Sequence, residues 1–246
     1  MGQVIAVVSG KGGTGKTSLT ALMGVALAKL GRRVLLLDCD VGLRDLDIAV
    51  GMSDSVLLDF TDVLARRASL EDAVTPHPRL EGLYLLTAPA VSEGTLPDMS
   101  GMKRLLDEAR WAFDFCLLDG AAGLGDSFRL ATRHADRVLV VTTTEPACLR
   151  DAQRTVMELN YVPTGQMHLI VNRVRRSLLK SLRANIDDAM DAAGLPLIGI
   201  VPEDDDLPAM LGKGMADSFS YYSPARRAVQ NIARRLCGER VPLMRV

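Results

Sequence analysis

The sequence predicts a doubly wound α/β fold: a mostly parallel sheet flanked by helices on both faces, in one domain over residues 1–246. Three observations predict it. Short apolar runs alternate with helical stretches along the whole chain, which is the pattern of repeated βαβ units. Most of those runs are apolar at consecutive positions, as strands covered on both faces must be. A glycine-rich loop joins the first such run directly to the first long helical stretch.

The expected strands are Val4 to Val8, Arg33 to Leu37, Leu83 to Thr87, Phe115 to Leu118, Val138 to Thr142, Leu169 to Val171 and Leu197 to Val201. The expected helices begin with Lys16 to Leu30, stopped at Gly31, a residue suited to a C-cap. Met102 to Ala109, Cys148 to Leu159 and Leu178 to Ala193 follow. No internal repeat, low-complexity segment or Pro/Gly-rich linker divides the chain. Ligands of such sheets sit beyond the carboxyl ends of the strands. The loops that can bear a site are therefore 9–17, 38–47, 119–126, 143–147, 172–176 and 202–206.

Composition narrows the function. With 48% hydrophobic residues the chain has material for a sizeable core. A net charge of −1 gives no global positive field to draw it onto DNA or acidic lipid. The four cysteines, Cys39, Cys116, Cys148 and Cys237, show no C-x-x-C spacing and read as reduced thiols. The N-terminus enters "QVIAVV" without a basic region and apolar core, so no signal peptide is expected. No apolar run approaches the ~20 residues needed to span a bilayer. The expectation is a cytoplasmic protein.

The loop between first strand and first helix, Gly10-Lys11-Gly12-Gly13-Thr14-Gly15-Lys16-Thr17, fits G-x-x-x-x-G-K-[ST]. Glycines let backbone N–H groups turn inward around phosphate oxygens, and the helix N-terminus adds partial positive charge. Lys16 is placed to bridge the terminal phosphates of a nucleotide, and the Thr17 hydroxyl to ligate Mg²⁺. A second lysine, Lys11, directly follows the first glycine. On spacing alone it is a solvated surface residue.

With that second lysine, "KGGTGKTS" (Lys11 to Ser18) resembles the deviant phosphate loop of the MinD/ParA family of ATPases. The resemblance runs nearly end to end and is closest to the MinD members. It includes "LLLDCDVGLRDLD" (Leu35 to Asp47), "DFCLLDGAAGLGD" (Asp114 to Asp126), "VTTTEPACLRDAQR" (Val141 to Arg154), "LIVNRV" (Leu169 to Val174), "IGIVPEDD" (Ile198 to Asp205) and "NIARRLCGERVPLM" (Asn231 to Met244).

The resemblance implies an ATP-dependent homodimer in which Lys11 reaches across the interface to the partner's phosphates, so that loss of the terminal phosphate loosens the pair. It implies that Asp40 holds the attacking water, that Asp38 shapes the Mg²⁺ surroundings and that Asp119 holds Mg²⁺ through a water. Asn172 would bond the adenine edge, with Pro202, Glu203 and Asp204 forming the rim around base and ribose. Without a histidine in these segments, hydrolysis of ATP to ADP and phosphate rests on positioning and charge, and is slow.

Arg150 and Asp151 resemble a surface that meets partners, here division regulators of the MinC or MinE kind. Two residues depart from the pattern. Gly120-Ala121 stands where a small polar residue or cysteine and then proline are usual, leaving the backbone freer. Asp45 replaces a common asparagine.

Ala225, Ala228, Val229, Ile232, Ala233 and Leu236 form an apolar stripe at helical spacing, with Arg226, Arg227, Arg234 and Arg235 mostly off it. Half alanine and free of Phe or Trp, it is expected to pack against the sheet rather than lie on lipid. The family's membrane-targeting helix follows "VPLM", after which only Arg245 and Val246 remain here, so weak recruitment to a membrane surface is expected. The implied role is control of cell division by inhibiting septum formation away from mid-cell. Partitioning of DNA or placement of flagella by a ParA-like ATPase is the alternative, with salt-sensitive DNA binding as its mark. An iron–sulfur carrier would need paired cysteines that these four do not supply.

Overall fold

A computed structural model describes residues 1–41, 44–53, 58–89, 99–175, 186–218 and 223–244. Its strands are β1 (Gln3–Ser9), β2 (Val34–Asp38), β3 (Thr75–Pro76), β4 (Leu83–Leu86), β5 (Phe115–Ala122), β6 (Arg137–Thr142), β7 (Met167–Val174) and β8 (Leu197–Pro202). They form one sheet in the order β3-β4-β2-β5-β1-β6-β7-β8. Every pairing is parallel except β3 with β4 at one edge. The expected fold class is the one observed.

Helices α1 (Lys16–Lys29), α2 (Leu46–Val50), α3 (Phe60–Leu64), α4 (Leu70–Ala73) and α5 (Met99–Ala112) come first. They are followed by α6 (Asp126–Thr132), α7 (Pro146–Glu158), α8 (Ile186–Ala193), α9 (Leu207–Leu211) and α10 (Pro224–Leu236). The expected helix over Leu178 to Ala193 appears as α8 only; residues 176–185 lie outside the described set. So do residues 245–246, on which the membrane expectation turned. Among the described residues no helix is long and apolar enough to cross a membrane.

β1 shows why consecutive apolar positions are needed. Val4, Ala6 and Val8 enter the core on one face, while Ile5 and Val7 enter the core on the other. Strand side chains alternate between faces, so a strand covered twice must be apolar at every position. α1 is also buried nearly all round, from Leu19 to Ala28, and therefore has no polar face to display. It lies in the second core together with α2 and α10.

The basic, amphipathic α10 packs inward as expected. Ser223 caps it, its Oγ accepting from the Arg226 N–H at 3.1 Å, and Pro224 opens the first turn. All six residues of the apolar stripe are buried in the core shared with α1. Arg235 donates to the carbonyls of Ile198, Val241 and Pro242, fastening the helix to β8 and to the chain that follows.

Strand order reverses at β1, whose neighbours are β5 and β6. Loops leaving the carboxyl ends there diverge and open a crevice. The phosphate-loop sequence lies at that point.

Ile232 is fully buried and the lone tryptophan, Trp111, is 76% exposed. Ile232→Ala should lower the unfolding free energy by ~2–5 kcal/mol, whereas Trp111→Ala should stay within ~0.5 kcal/mol of wild type. Urea denaturation checks both; equal midpoints would contradict the inward packing of α10.

Candidate functional site

The loop from β1 to α1 is shaped by two demands on glycine. Gly15, the residue before the helix, has φ 88°, a left-handed conformation that side chains disfavour. At Gly10 a Cβ would stand 2.6 Å from the Asp151 carbonyl, so the loop can lie against α7 only without one. Gly12 and Gly13 continue the turn, and the Ser9 hydroxyl donates to the Lys11 carbonyl at 2.8 Å.

No side chain caps the first turn of α1 and no acidic residue stands in it. Among the described residues, the first N–H groups of this 14-residue helix have no side-chain acceptor. Thr14 is buried, its hydroxyl without a partner among the described residues. A phosphate oxygen would satisfy both.

Lys16, 8% exposed, and Lys11, exposed, divide the loop's two charges. Lys16 lies close enough to Asp119 for its charge to pull that carboxyl's pKa down. No ion pair forms at Lys11 among the described residues.

Asp119 lies in the buried part of β5, and Asp38 ends β2 beside it; the two are paired positions in the ladder. Thr17 Oγ1 donates to Asp119 Oδ2 at 2.6 Å, and Thr20 Oγ1 lies 3.2 Å from Oδ1. Asp38 accepts from the backbone N–H of Asp40 at 2.8 Å and of Leu46 at 3.3 Å. These bonds place Asp40, half-buried, at the start of the loop that leads to α2. Burial pushes Asp119 up to about 6, against the opposing pull of Lys16 and the two threonine hydroxyls. Asp38 is driven further, to about 8, by burial first and by the negative charge of Asp119 second.

A hydroxyl and two carboxylates are hard oxygen donors, the type Mg²⁺ takes. Among the described residues no group of acidic, histidine or cysteine side chains makes a complete metal cage. Mg²⁺ ordinarily keeps several waters and shares its shell with substrate phosphates. Thr17, Asp38 and Asp119 fit such an ion.

On the other side of the loop, Asn172, Pro202, Glu203 and Asp204 border one cleft with Gly15 and Ser18. Asn172 donates from Nδ2 to the Thr14 carbonyl at 2.8 Å, which leaves Oδ1 to accept from a base amino group. The carboxylates on the rim are engaged elsewhere. Glu203 pairs with Arg173 at 3.0 Å and Arg175 at 3.6 Å. Asp204 accepts from Ser223 Oγ at 2.6 Å and from the Asp206 N–H at 3.1 Å, tying the rim to the start of α10.

The expected site residues are thus gathered around the phosphate loop, with Asp40 held at its edge through its backbone bond to Asp38. Ser18 and Thr17 also border a second cleft with Asp45 and Ile48. Gly120 differs from expectation. It is buried within β5, where a Cβ would come 3.0 Å from Val8 Cγ1, so close packing holds it rather than leaving it free. Arg150 is exposed on α7 and Asp151 half-buried.

Sequence reading missed three contributors. Thr20 lies one helical turn from Thr17, a spacing that could have signalled a second hydroxyl for Asp119. Leu207 and Pro208 border the base-side cleft and give no polar signal. Arg173 follows Asn172 in a strand, where alternation sends it to the opposite face.

A family model for the CobQ/CobB/MinD/ParA nucleotide-binding domain matches residues 5–217. The septum site-determining protein MinD of Thermotoga maritima is 36% identical over 246 residues, taking in 99% of this chain and 91% of that one. MinD in a MinC:MinD cell division complex from Aquifex aeolicus superposes with a TM-score of 0.91 at 35% identity, covering 99% and 98%. MinD of Pyrococcus horikoshii, complexed with Mg-ADP, superposes at 0.83 with 30% identity, covering 96% of each chain.

The buried carboxylates set a pH dependence for the nucleotide-free chain. Asp38 and Asp119 keep protons in the fold up to about 8 and about 6, whereas in the unfolded chain they release them near 3.8. The fold therefore binds more protons than the unfolded chain across that window, and its stability falls as pH rises from about 4 to 8. Asp38→Asn should flatten the fall. Thermal midpoints without nucleotide or Mg²⁺, measured across this range, check it; an unchanged slope in the variant would contradict the assignment.

Proposed function

The chain belongs to the CobQ/CobB/MinD/ParA nucleotide-binding family, and from that membership we propose that it is an ATP-driven switch of the MinD type in which Lys11 and Lys16 serve two different pockets. It is an ATPase and a regulator of cell division. The observation that supports the two-lysine reading is the division of the loop's charges. Lys16 is buried beside Asp119, while Lys11 stands exposed with no ion pair among the described residues.

ATP lies with its phosphates in the loop Gly10–Thr17 and its base in the cleft of Asn172, Pro202, Glu203 and Asp204. Lys16 and the N–H groups of the first turn neutralise the phosphate oxygens. Thr17 and Asp119, with Asp38 nearby, hold Mg²⁺, which when bound offsets the phosphate charge and orients the terminal group. Asp40 places the attacking water, and ATP and water become ADP and phosphate. No side chain here takes the covalent role of a nucleophile; catalysis is positioning and charge stabilisation.

Two chains meet across their phosphate loops, and each Lys11 contacts the triphosphate held by the other. Such a charge-assisted contact in a desolvated interface weakens when the terminal phosphate leaves. The nucleotide state thereby becomes the association state. α7 links that state to partners, because its backbone touches the loop at Gly10 while Arg150 faces outward. A division inhibitor of the MinC kind and a stimulator of the MinE kind fit that face. Inhibition of septum formation away from mid-cell is the output, exercised from the cytoplasm or the inner membrane surface.

Lys16→Ala should weaken ATP by about 10- to 100-fold, the loss of a charge-assisted contact. Lys11→Ala should bind ATP with Mg²⁺ yet remain monomeric in light scattering, where wild type dimerises with ATP and not with ADP. Asp40→Ala should accumulate dimers without releasing phosphate. An ATP-dependent dimer of Lys11→Ala would contradict the trans contact.

A further inference from the structure

Two consecutive residues at the end of β7 seize two consecutive carbonyls of the phosphate loop. Asn172 Nδ2 donates to Thr14 O at 2.8 Å, and Arg173 Nη1 donates to Gly13 O at 3.1 Å. A regular strand cannot do this, because neighbouring side chains leave opposite faces. Here the register of β7 against β8 shifts between Val171 and Val174, and Arg173 adopts φ 57°. A bulge of this kind re-aims a side chain, and a left-handed arginine persists only where its surroundings impose it.

The rest of the guanidinium grips Glu203. Nε lies 3.2 and 3.0 Å from its two carboxylate oxygens, and Nη2 lies 3.1 Å from Oε1. Glu203 is itself mostly buried and shared with Arg175. The Arg173 side chain, however, is half exposed, and exposed ion pairs add little to stability. Backbone strain and a weak pair make a poor device for holding a fold together. They make a good one for fixing direction.

We propose that Arg173, braced by Glu203, is a positioning residue for nucleotide phosphate, completing with Asn172 a clamp that sets the peptide planes of the loop. A trans peptide points its N–H opposite to its C=O. Holding the Gly13 and Thr14 carbonyls toward β7 therefore turns the N–H groups of Thr14 and Gly15 the other way, toward the anion position. The clamp organises donors for phosphate before the ligand arrives, so its loss weakens binding of ATP and ADP alike. This inference rests on the ATPase reading above.

The test measures KM and kcat for ATP, the affinity for a fluorescent ADP analogue, and the urea midpoint of the full chain. It uses Arg173→Ala, Arg173→Gly, Arg173→Lys, Glu203→Gln and the Arg173→Ala/Glu203→Gln pair. Arg173→Gly relieves the left-handed backbone while removing the guanidinium, so its urea midpoint should hold or rise as KM and the ADP dissociation constant increase about five- to tenfold. Arg173→Ala should match it in affinity, with kcat within about threefold of wild type in both. Lysine should restore little, since a compact ammonium cannot span Glu203 and Gly13 together. The double variant should be no weaker than Arg173→Ala, because both changes break one device. Affinity that follows the urea midpoint, additive losses, or an Arg173→Gly protein that binds like wild type would overturn the clamp alone. A wild-type protein without affinity for either nucleotide would overturn the ATPase reading with it.

Discussion

Two carboxylates held away from water, at paired positions on adjacent strands, are the constraint around which this site is arranged. Asp38 ends β2 and Asp119 lies opposite it within β5, and burial drives both toward the protonated state. Left alone, such a pair would carry little charge at neutral pH. Lys16 and the hydroxyls of Thr17 and Thr20 pull Asp119 part of the way back. The arrangement is costly for an empty fold and complementary to a cation. Stability is traded for a place where charge can be neutralised from outside.

The phosphate loop answers the opposite need. It gathers partial positive charge from an uncapped helix start and a buried lysine, and offers it at the crevice where strand order reverses. An anion with a divalent cation satisfies both halves at once. The loop is held from outside on two sides, by the α7 backbone against Gly10 and by the end of β7 against Gly13 and Thr14. Preorganisation of this sort keeps the cost of ordering the donors out of the binding step.

Much of this was legible in the sequence because it follows from composition along the chain. Strands buried on both faces announce themselves by unbroken apolar runs, as β1 and β2 do. The loop glycines and Lys16 follow from what a phosphate requires of backbone and charge. The stripe from Ala225 to Leu236 gave the inward face of α10 because alanine suits close packing better than lipid.

What escaped depends on contacts between distant segments. β3 is a two-residue antiparallel edge containing Pro76, too short to leave a period. α3 and α4 carry capping boxes at Asp59/Asp62 and Ser69/Asp72, but at five and four residues their apolar pattern is too brief to register. Gly120 read as loosened backbone because its neighbours Val8 and Ala131 are invisible from position alone. Arg173 was lost because alternation assigns it to the wrong face, and the bulge that corrects this belongs to the pairing of β7 with β8.

These two kinds of legibility map onto two kinds of role. Residues that touch a ligand are chosen for their own chemistry, so lysine, threonine and aspartate in the right order disclose themselves. Residues that aim the loop are chosen for reach. An arginine at the end of β7 and a carbonyl on α7 act through geometry that many side chains could mimic on paper. The same separation bears on switching. If the loop's peptide planes are set by β7 on one side and its backbone rests on α7 on the other, phosphate arriving in the loop is felt at both. α7 carries an exposed side chain, Arg150. Gly10 lies against the Asp151 carbonyl, and the requirement that residue 10 have no side chain keeps loop and helix in contact.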